Sequence, residues 1–134
     1  MTTRNITIKQ LLDMKRAGQK ISCLTSYDAS FTRLIEAAGV EILLVGDSLG
    51  MVVQGRESTL PVTLDEMIYH TQNVSRACRR ALLVAVMPFM SFRSAALALE
   101  SAGRLMMEGG AHMVTLEGGA PQLEAVRQLS AQGI

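Results

Sequence analysis

No stretch of about 18 consecutive apolar residues, the length a membrane-spanning helix needs, occurs in this sequence. The opening residues, MTTRNITIKQLLDMKRAG, have no apolar centre of the kind a secretory signal carries. Charge of one sign is missing too: 13 basic residues stand against 12 acidic ones, a net charge of +1. That balance gives no ground for a nucleic-acid or other polyanionic partner, and the first two observations none for a membrane. The local cluster Arg76, Arg79 and Arg80 reads as the favourably charged C-terminal end of a helix. Cysteine is scarce, with Cys23 in an apolar run and Cys78 in a helical pattern. Their spacing is not C-x-x-C, so both are expected as reduced, buried or half-buried thiols of a soluble, cytoplasmic protein.

What the chain does have is the balance of a folded protein. With 49% apolar and 19% charged residues among 134, it can bury one core, so a single domain over residues 1–134 is expected. Four short apolar runs, ISCLTS from Ile21, EILLVGD from Glu41, ALLVAVMP from Ala81 and HMVTLEG from His112, are each followed by a helical pattern. Continuous runs of this kind suit parallel strands covered on both faces.

The helix ends are legible. Asp28 caps a helix carrying Phe31, Leu34, Ile35 and Ala38, with Gly39 as its stop. Thr63 and Glu66 form a capping box for the next long helix, and Ser94 caps an alanine-rich one that stops at Gly109-Gly110. Pro121 suits the first turn of a last helix that Gly133 stops. A leading helix, Ile8 to Ala17, opens on a box of Thr7 and Gln10. The order is one helix and then four βα units, which fits either half of a (β/α)8 barrel or a small doubly wound sheet. In both, chemistry gathers at the C-terminal ends of the strands. The polar residues placed there are Tyr27, Asp47, Ser48 and Glu117. The connection from Leu49 to Val62 is long for a βα loop and is a candidate substrate contact.

Gly46-Asp47-Ser48-Leu49-Gly50 matches both a G-x-S-x-G nucleophile elbow and the G-D-S-L tetrapeptide of certain esterases. An elbow needs a helix immediately behind the serine, whereas the next helix here is expected only near Thr63. A serine nucleophile also needs a base held by a carboxylate. The only histidines are His70, inside a helix, and His112, at the start of the fourth strand, and neither has an aspartate three residues earlier. The aspartate is the stronger candidate. Asp47 and Glu117 end the second and fourth strands, and a barrel would aim both carboxylates into its mouth. Such a pair suits Mg²⁺, which takes one or two carboxylates and keeps places for water and substrate oxygens. A 2-oxo acid bound there would have its carbonyl polarised and its α-proton acidified. The plainer alternative is that both carboxylates cap the following helices.

The segments LTSYD (24–28), VGDSLGMVVQG (45–55), STLPVT (58–63), MPFMSF (87–92) and LEGG (116–119) give the chain a closer likeness. In these segments, and over essentially its whole length, it resembles the ketopantoate hydroxymethyltransferase (3-methyl-2-oxobutanoate hydroxymethyltransferase) family. The resemblance implies a Mg²⁺-dependent (β/α)8 TIM-type barrel and a homo-oligomer. It also implies transfer of a hydroxymethyl group from 5,10-methylenetetrahydrofolate to 3-methyl-2-oxobutanoate, giving 2-dehydropantoate for pantothenate biosynthesis. This chain then corresponds to the first four βα units, a half barrel whose leading helix covers the bottom. Carried over by position, Asp47 becomes a metal ligand beside the substrate, Ser48 a contact to the substrate carboxylate, Glu117 the glutamate near the metal and Tyr27 a pocket residue.

Two positions depart from the pattern the resemblance implies. Val86 stands where the third strand is expected to end in a second metal-binding aspartate, and Thr115 where a substrate-pairing lysine is expected. Losing both should weaken metal and substrate binding by roughly several kcal/mol in total. The resemblance places the catalytic base beyond residue 134, so no residue here is assigned that role. A family barrel has about twice this length, and four units alone would leave two strand edges open. Such a chain is expected to self-associate or to pair with a complementary half.

Overall fold

The computed structural model describes residues 5–134. Along the chain run α1 (Ile8–Arg16), β1 (Cys23–Thr25), α2 (Ala29–Ala37), β2 (Ile42–Val45), α3 (Leu49–Val52) and α4 (Leu64–Ala77). They are followed by β3 (Leu82–Val86), α5 (Ala95–Met107), β4 (Met113–Thr115), a 3₁₀ turn at Ala120–Gln122 and α6 (Leu123–Ala131). The helices begin where their caps are. Thr7 with Gln10 and Thr63 with Glu66 form reciprocal capping boxes ahead of α1 and α4. Asp28 accepts the amides of Ser30 and Phe31 ahead of α2, and Ser94 that of Leu97 ahead of α5. Pro121 sits in the 3₁₀ turn that leads into α6.

The four strands form one parallel sheet in the order β1-β2-β3-β4. Thr25 lies opposite Leu44, Leu44 opposite Val84, and Val86 opposite Thr115. Sequential order decides between the two architectures. A doubly wound sheet reverses its strand order at a switch point and sends helices to both faces. Here no reversal occurs, and α2, α4, α5 and α6 pack each on the next in a single layer. Leu43, Val45, Leu83 and Ala85, all fully buried, point to that layer and meet Met67, Val74, Ala98, Ala102 and Leu105. By strand alternation Ile42, Leu44, Leu82, Val84 and Val86 share the other face, which a closed barrel would turn inward. The fold is therefore an open half of a (β/α)8 barrel.

α1 belongs to the N-terminal end of the strands. The Ile6 amide just before it donates to the Arg80 carbonyl at 2.6 Å, and Ile8 shares a groove with His112. Arg80 explains part of the basic cluster: its guanidinium donates to the carbonyls of Gly39 and Val40 beyond α2. Glu36 completes this junction by accepting the amides of Arg80 and Ala81 and the Cys78 thiol.

Three expectations need correction. Cys23 is exposed rather than buried or half-buried, because among the described residues β1 has no neighbour on its outer edge and all its residues are exposed. Coverage of both faces holds fully only for β3; β2 alternates between half-buried and buried although it too has a strand on either side, and β4 is half-buried throughout. The connection from Leu49 to Val62 is not irregular from its start, since α3 forms directly after Ser48. Periodicity cannot reveal one helical turn.

Candidate active site

Asp47 and Glu117 come together at the C-terminal ends of β2 and β4. They line one cavity of about 170 Å³ with Thr59 and an apolar wall that includes Leu60, Val86, Phe89 and Phe92. Neither carboxylate caps a helix: the turns that follow, at Leu49 and at Ala120, have no side-chain cap. The capping alternative therefore fails, and both groups remain available to the cavity. The LEGG segment owes its course to Gly118, whose φ of 145° is open to glycine and where a Cβ would meet the Gln122 side chain at 2.5 Å. A wider space of about 570 Å³ beside the cavity shares Phe89, Phe92 and Glu117 and adds Arg93 and Gln122.

The donor set for a cation is thin. Among the described residues no three histidine, cysteine, aspartate or glutamate side chains gather as a metal site. Val86, on the strand between β2 and β4, is buried and puts a hydrocarbon side chain in the cavity wall.

Ser48 lies beside Asp47 in sequence but does not line the cavity with the carboxylates. Its hydroxyl meets the Tyr27 phenol at 2.8 Å, bridging the ends of β2 and β1. A Cβ on Gly46 would come within 2.9 Å of Ser48 Oγ, so the glycine leaves the hydroxyl its room. Ser48 has φ −53° and ψ −16°, ordinary helical values rather than the strained turn of an elbow. α3 does follow it directly, contrary to expectation, yet among the described residues no base is hydrogen-bonded to the serine. His70 is bound through Nδ1 to the Tyr27 carbonyl at 2.8 Å, and His112 Nδ1 accepts the Leu83 amide at 3.1 Å. Burial lowers the His112 pKa below its ordinary value, keeping the imidazole neutral in that acceptor role.

Sequence reasoning did not find Thr59, Leu60, Phe89, Phe92 or Arg93 as lining residues, nor His70 as the anchor of Tyr27. The first four lie in segments already singled out, STLPVT and MPFMSF, but spacing carries no information on where a loop side chain points.

A model of the ketopantoate hydroxymethyltransferase family matches residues 5–134. The chain is 57% identical over 129 residues to a 3-methyl-2-oxobutanoate hydroxymethyltransferase of Halorhodospira halophila, covering 96% of this chain and 47% of that protein. It is equally similar, at 57% over 129 residues, to the protein of that name from Nitrosococcus oceani, covering 96% and 49%. The chain thus spans about half the length of the curated relatives it matches. Among solved structures, it superposes on 2,3-dimethylmalate lyase, a PEP mutase/isocitrate lyase superfamily member, with a TM-score of 0.68 at 13% identity. That match covers 96% of this chain and 50% of the lyase. At such identity it speaks to the fold alone, and it agrees with half a barrel.

Proposed function

The chain belongs to the ketopantoate hydroxymethyltransferase family, and on that premise we propose that it supplies the substrate-binding half of a 3-methyl-2-oxobutanoate hydroxymethyltransferase. The reaction is transfer of a hydroxymethyl group from 5,10-methylenetetrahydrofolate to 3-methyl-2-oxobutanoate, giving 2-dehydropantoate for pantothenate biosynthesis. The observation that carries the reading is the pair Asp47 and Glu117 facing one cavity at the C-terminal ends of parallel strands, where barrels of this class hold their chemistry. Ser48 would contact the substrate carboxylate, with Tyr27 behind it. The same reading puts the chain in the cytoplasm, where the exposed Cys23 thiol stays reduced.

Mg²⁺ is the cofactor this reading implies, and the residues present do not complete a site for it. Asp47 and Glu117 offer two carboxylates, while Val86 fills the strand end between them. The work proposed for these residues is accordingly binding and orientation of the oxo acid, and none of them is assigned the role of base. The exposed β1 edge favours a further requirement, four more strands from a second copy in a homo-oligomer or from a complementary half. A serine-esterase reading has nothing to support it, since neither His70 nor His112 is hydrogen-bonded to Ser48.

Isothermal titration tests the reading. Wild-type chain should bind Mg²⁺ weakly, and Val86→Asp should tighten it on the order of tenfold or more, because hard cations gain mainly from added carboxylate oxygens. Val86→Asp with Thr115→Lys should in addition tighten binding of 3-methyl-2-oxobutanoate through the new ammonium. Equal Mg²⁺ affinities for wild type and Val86→Asp would remove position 86 from the site.

A further inference from the structure

Tyr27 is held at both ends. Its carbonyl is bound by Nδ1 of His70 on α4, and its phenol meets Ser48 Oγ, each at 2.8 Å. A carbonyl oxygen has no proton to give, so Nδ1 of His70 carries the hydrogen and donates. The backbone around Tyr27 is fixed from α2 as well. The buried Ser26 and Thr32 hydroxyls lie 2.8 Å apart, Thr32 Oγ1 donates to the Asp28 carbonyl at 2.7 Å, and Asp28 caps α2. Two helices thus immobilise a residue whose side chain reaches from the end of β1 to the end of β2.

The direction of the last hydrogen bond follows from acidity. A phenol loses its proton far more readily than an aliphatic alcohol and is the better donor of the two. With Tyr27 donating, the Ser48 hydroxyl proton is left free, and accepting one hydrogen bond polarises that hydroxyl towards giving another. Stapling α4 to the β1–α2 turn would account for His70 alone. It does not account for a phenol spent on a half-buried serine next to Asp47.

We infer that Tyr27 and His70 are positioning residues, which orient Ser48 so that its hydroxyl donates to a carboxylate oxygen of a small 2-oxo acid. The identity of the ligand rests on the function proposed above; the orientation of Ser48 does not. The test is NMR on folded chain carrying ¹³C-serine, comparing wild type, Tyr27→Phe, His70→Leu and His70→Asn, each titrated with 3-methyl-2-oxobutanoate. Asparagine holds an N–H close to the place of Nδ1, whereas leucine holds none. The Ser48 Cβ signal should move in Tyr27→Phe and His70→Leu and return near its wild-type position in His70→Asn. Affinity for the oxo acid should fall about tenfold in the first two, the worth of one hydrogen bond to a charged group, and recover in the third. A Ser48 signal that stays in place in Tyr27→Phe or in folded His70→Leu overturns the inference. If His70→Leu does not fold, Tyr27→Phe against His70→Asn decides, and a Ser48 signal equally displaced in both overturns it. Signals that move as expected while the oxo acid produces no saturable change in wild type uphold the orientation of Ser48 and overturn the proposed ligand.

Discussion

β3 and β1 are both short apolar runs in one parallel sheet, yet every residue of β3 is buried and every residue of β1 is exposed. The difference has little to do with their own side chains. β3 has strands on both sides and α4 packed against it, while among the described residues β1 has one strand neighbour and an open edge. Leu83 is 0% exposed and Leu24 is 49% exposed, although each is the second residue of a short apolar strand. Burial is a property of neighbours, and a half barrel distributes neighbours unequally.

The sharpest way to break this comparison is to truncate both leucines. Leu83→Ala should cost about 2–5 kcal/mol, the range for a large side chain removed from a packed core. Leu24→Ala should cost less than about 1 kcal/mol, as at other exposed positions. Urea unfolding of the two variants measures both. Similar losses would mean that β1 is covered in solution, by a second copy or a complementary half.

A smaller contrast involves two glutamates that hold strand starts. Glu36 accepts the Arg80 and Ala81 amides at the centre of the fold, and Glu41 accepts the Ser22 amide and hydroxyl at the edge. Glu36→Ala leaves two amides without their acceptor and should cost about 1–3 kcal/mol. Glu41→Ala, where water can replace the carboxylate, should cost at most about 1 kcal/mol. Reversal of this order in denaturant midpoints would show that the edge carries more of the stability than its exposure implies.

The same groups set the response to acid. Burial opposes ionisation of Glu36, but the Ala81 and Arg80 amides and the Cys78 thiol outweigh it and hold its pKa below the usual range. The Ser22 hydroxyl does the same for Glu41 against a small desolvation cost. Burial depresses His112. All three folded-state pKa values lie below the unfolded ones, so the unfolded chain takes up more protons and stability falls as pH drops. The His112 contribution is complete above its ordinary value of 6.5 and is the first to be lost below it; the glutamates follow below 4.5. His112→Asn should therefore flatten the loss that sets in just below pH 6.5, read from urea midpoints against pH.

The smallest effect is chemical rather than energetic. Cys23 on the open edge is exposed, while burial and the neighbouring Glu36 push the Cys78 thiol up to about 12. Iodoacetamide at mildly alkaline pH should modify Cys23 and leave Cys78, because only the thiolate reacts. Equal labelling would place Cys78 outside its junction.

Much of this was legible in the chain itself. Asp28, Thr63 and Glu66, Thr7 and Gln10, and Ser94 announce helix starts because a cap is a local hydrogen bond between residues two or three apart. The four apolar runs announce strands for a similar reason. α3 was hidden because a single turn has no period to read. Cys23 was misplaced because an apolar run says that a strand wants cover, not that cover exists.

The site divides in the same way. That Asp47, Ser48, Tyr27 and Glu117 lie at strand ends follows from the order of runs and helices alone, since in any parallel βα arrangement those positions fall on one side. That Asp47 and Glu117 face one cavity while Ser48 turns to Tyr27, and that His70 on α4 fixes Tyr27 from 43 residues away, depends on how helices pack across the sheet. Local hydrogen bonding and hydrophobic pattern are written in neighbouring residues, so the sequence by itself determined the strands and longer helices, their order and the end at which the chemistry gathers. The direction of each functional side chain depends on contacts between segments far apart in the chain, and only the tertiary structure could decide it.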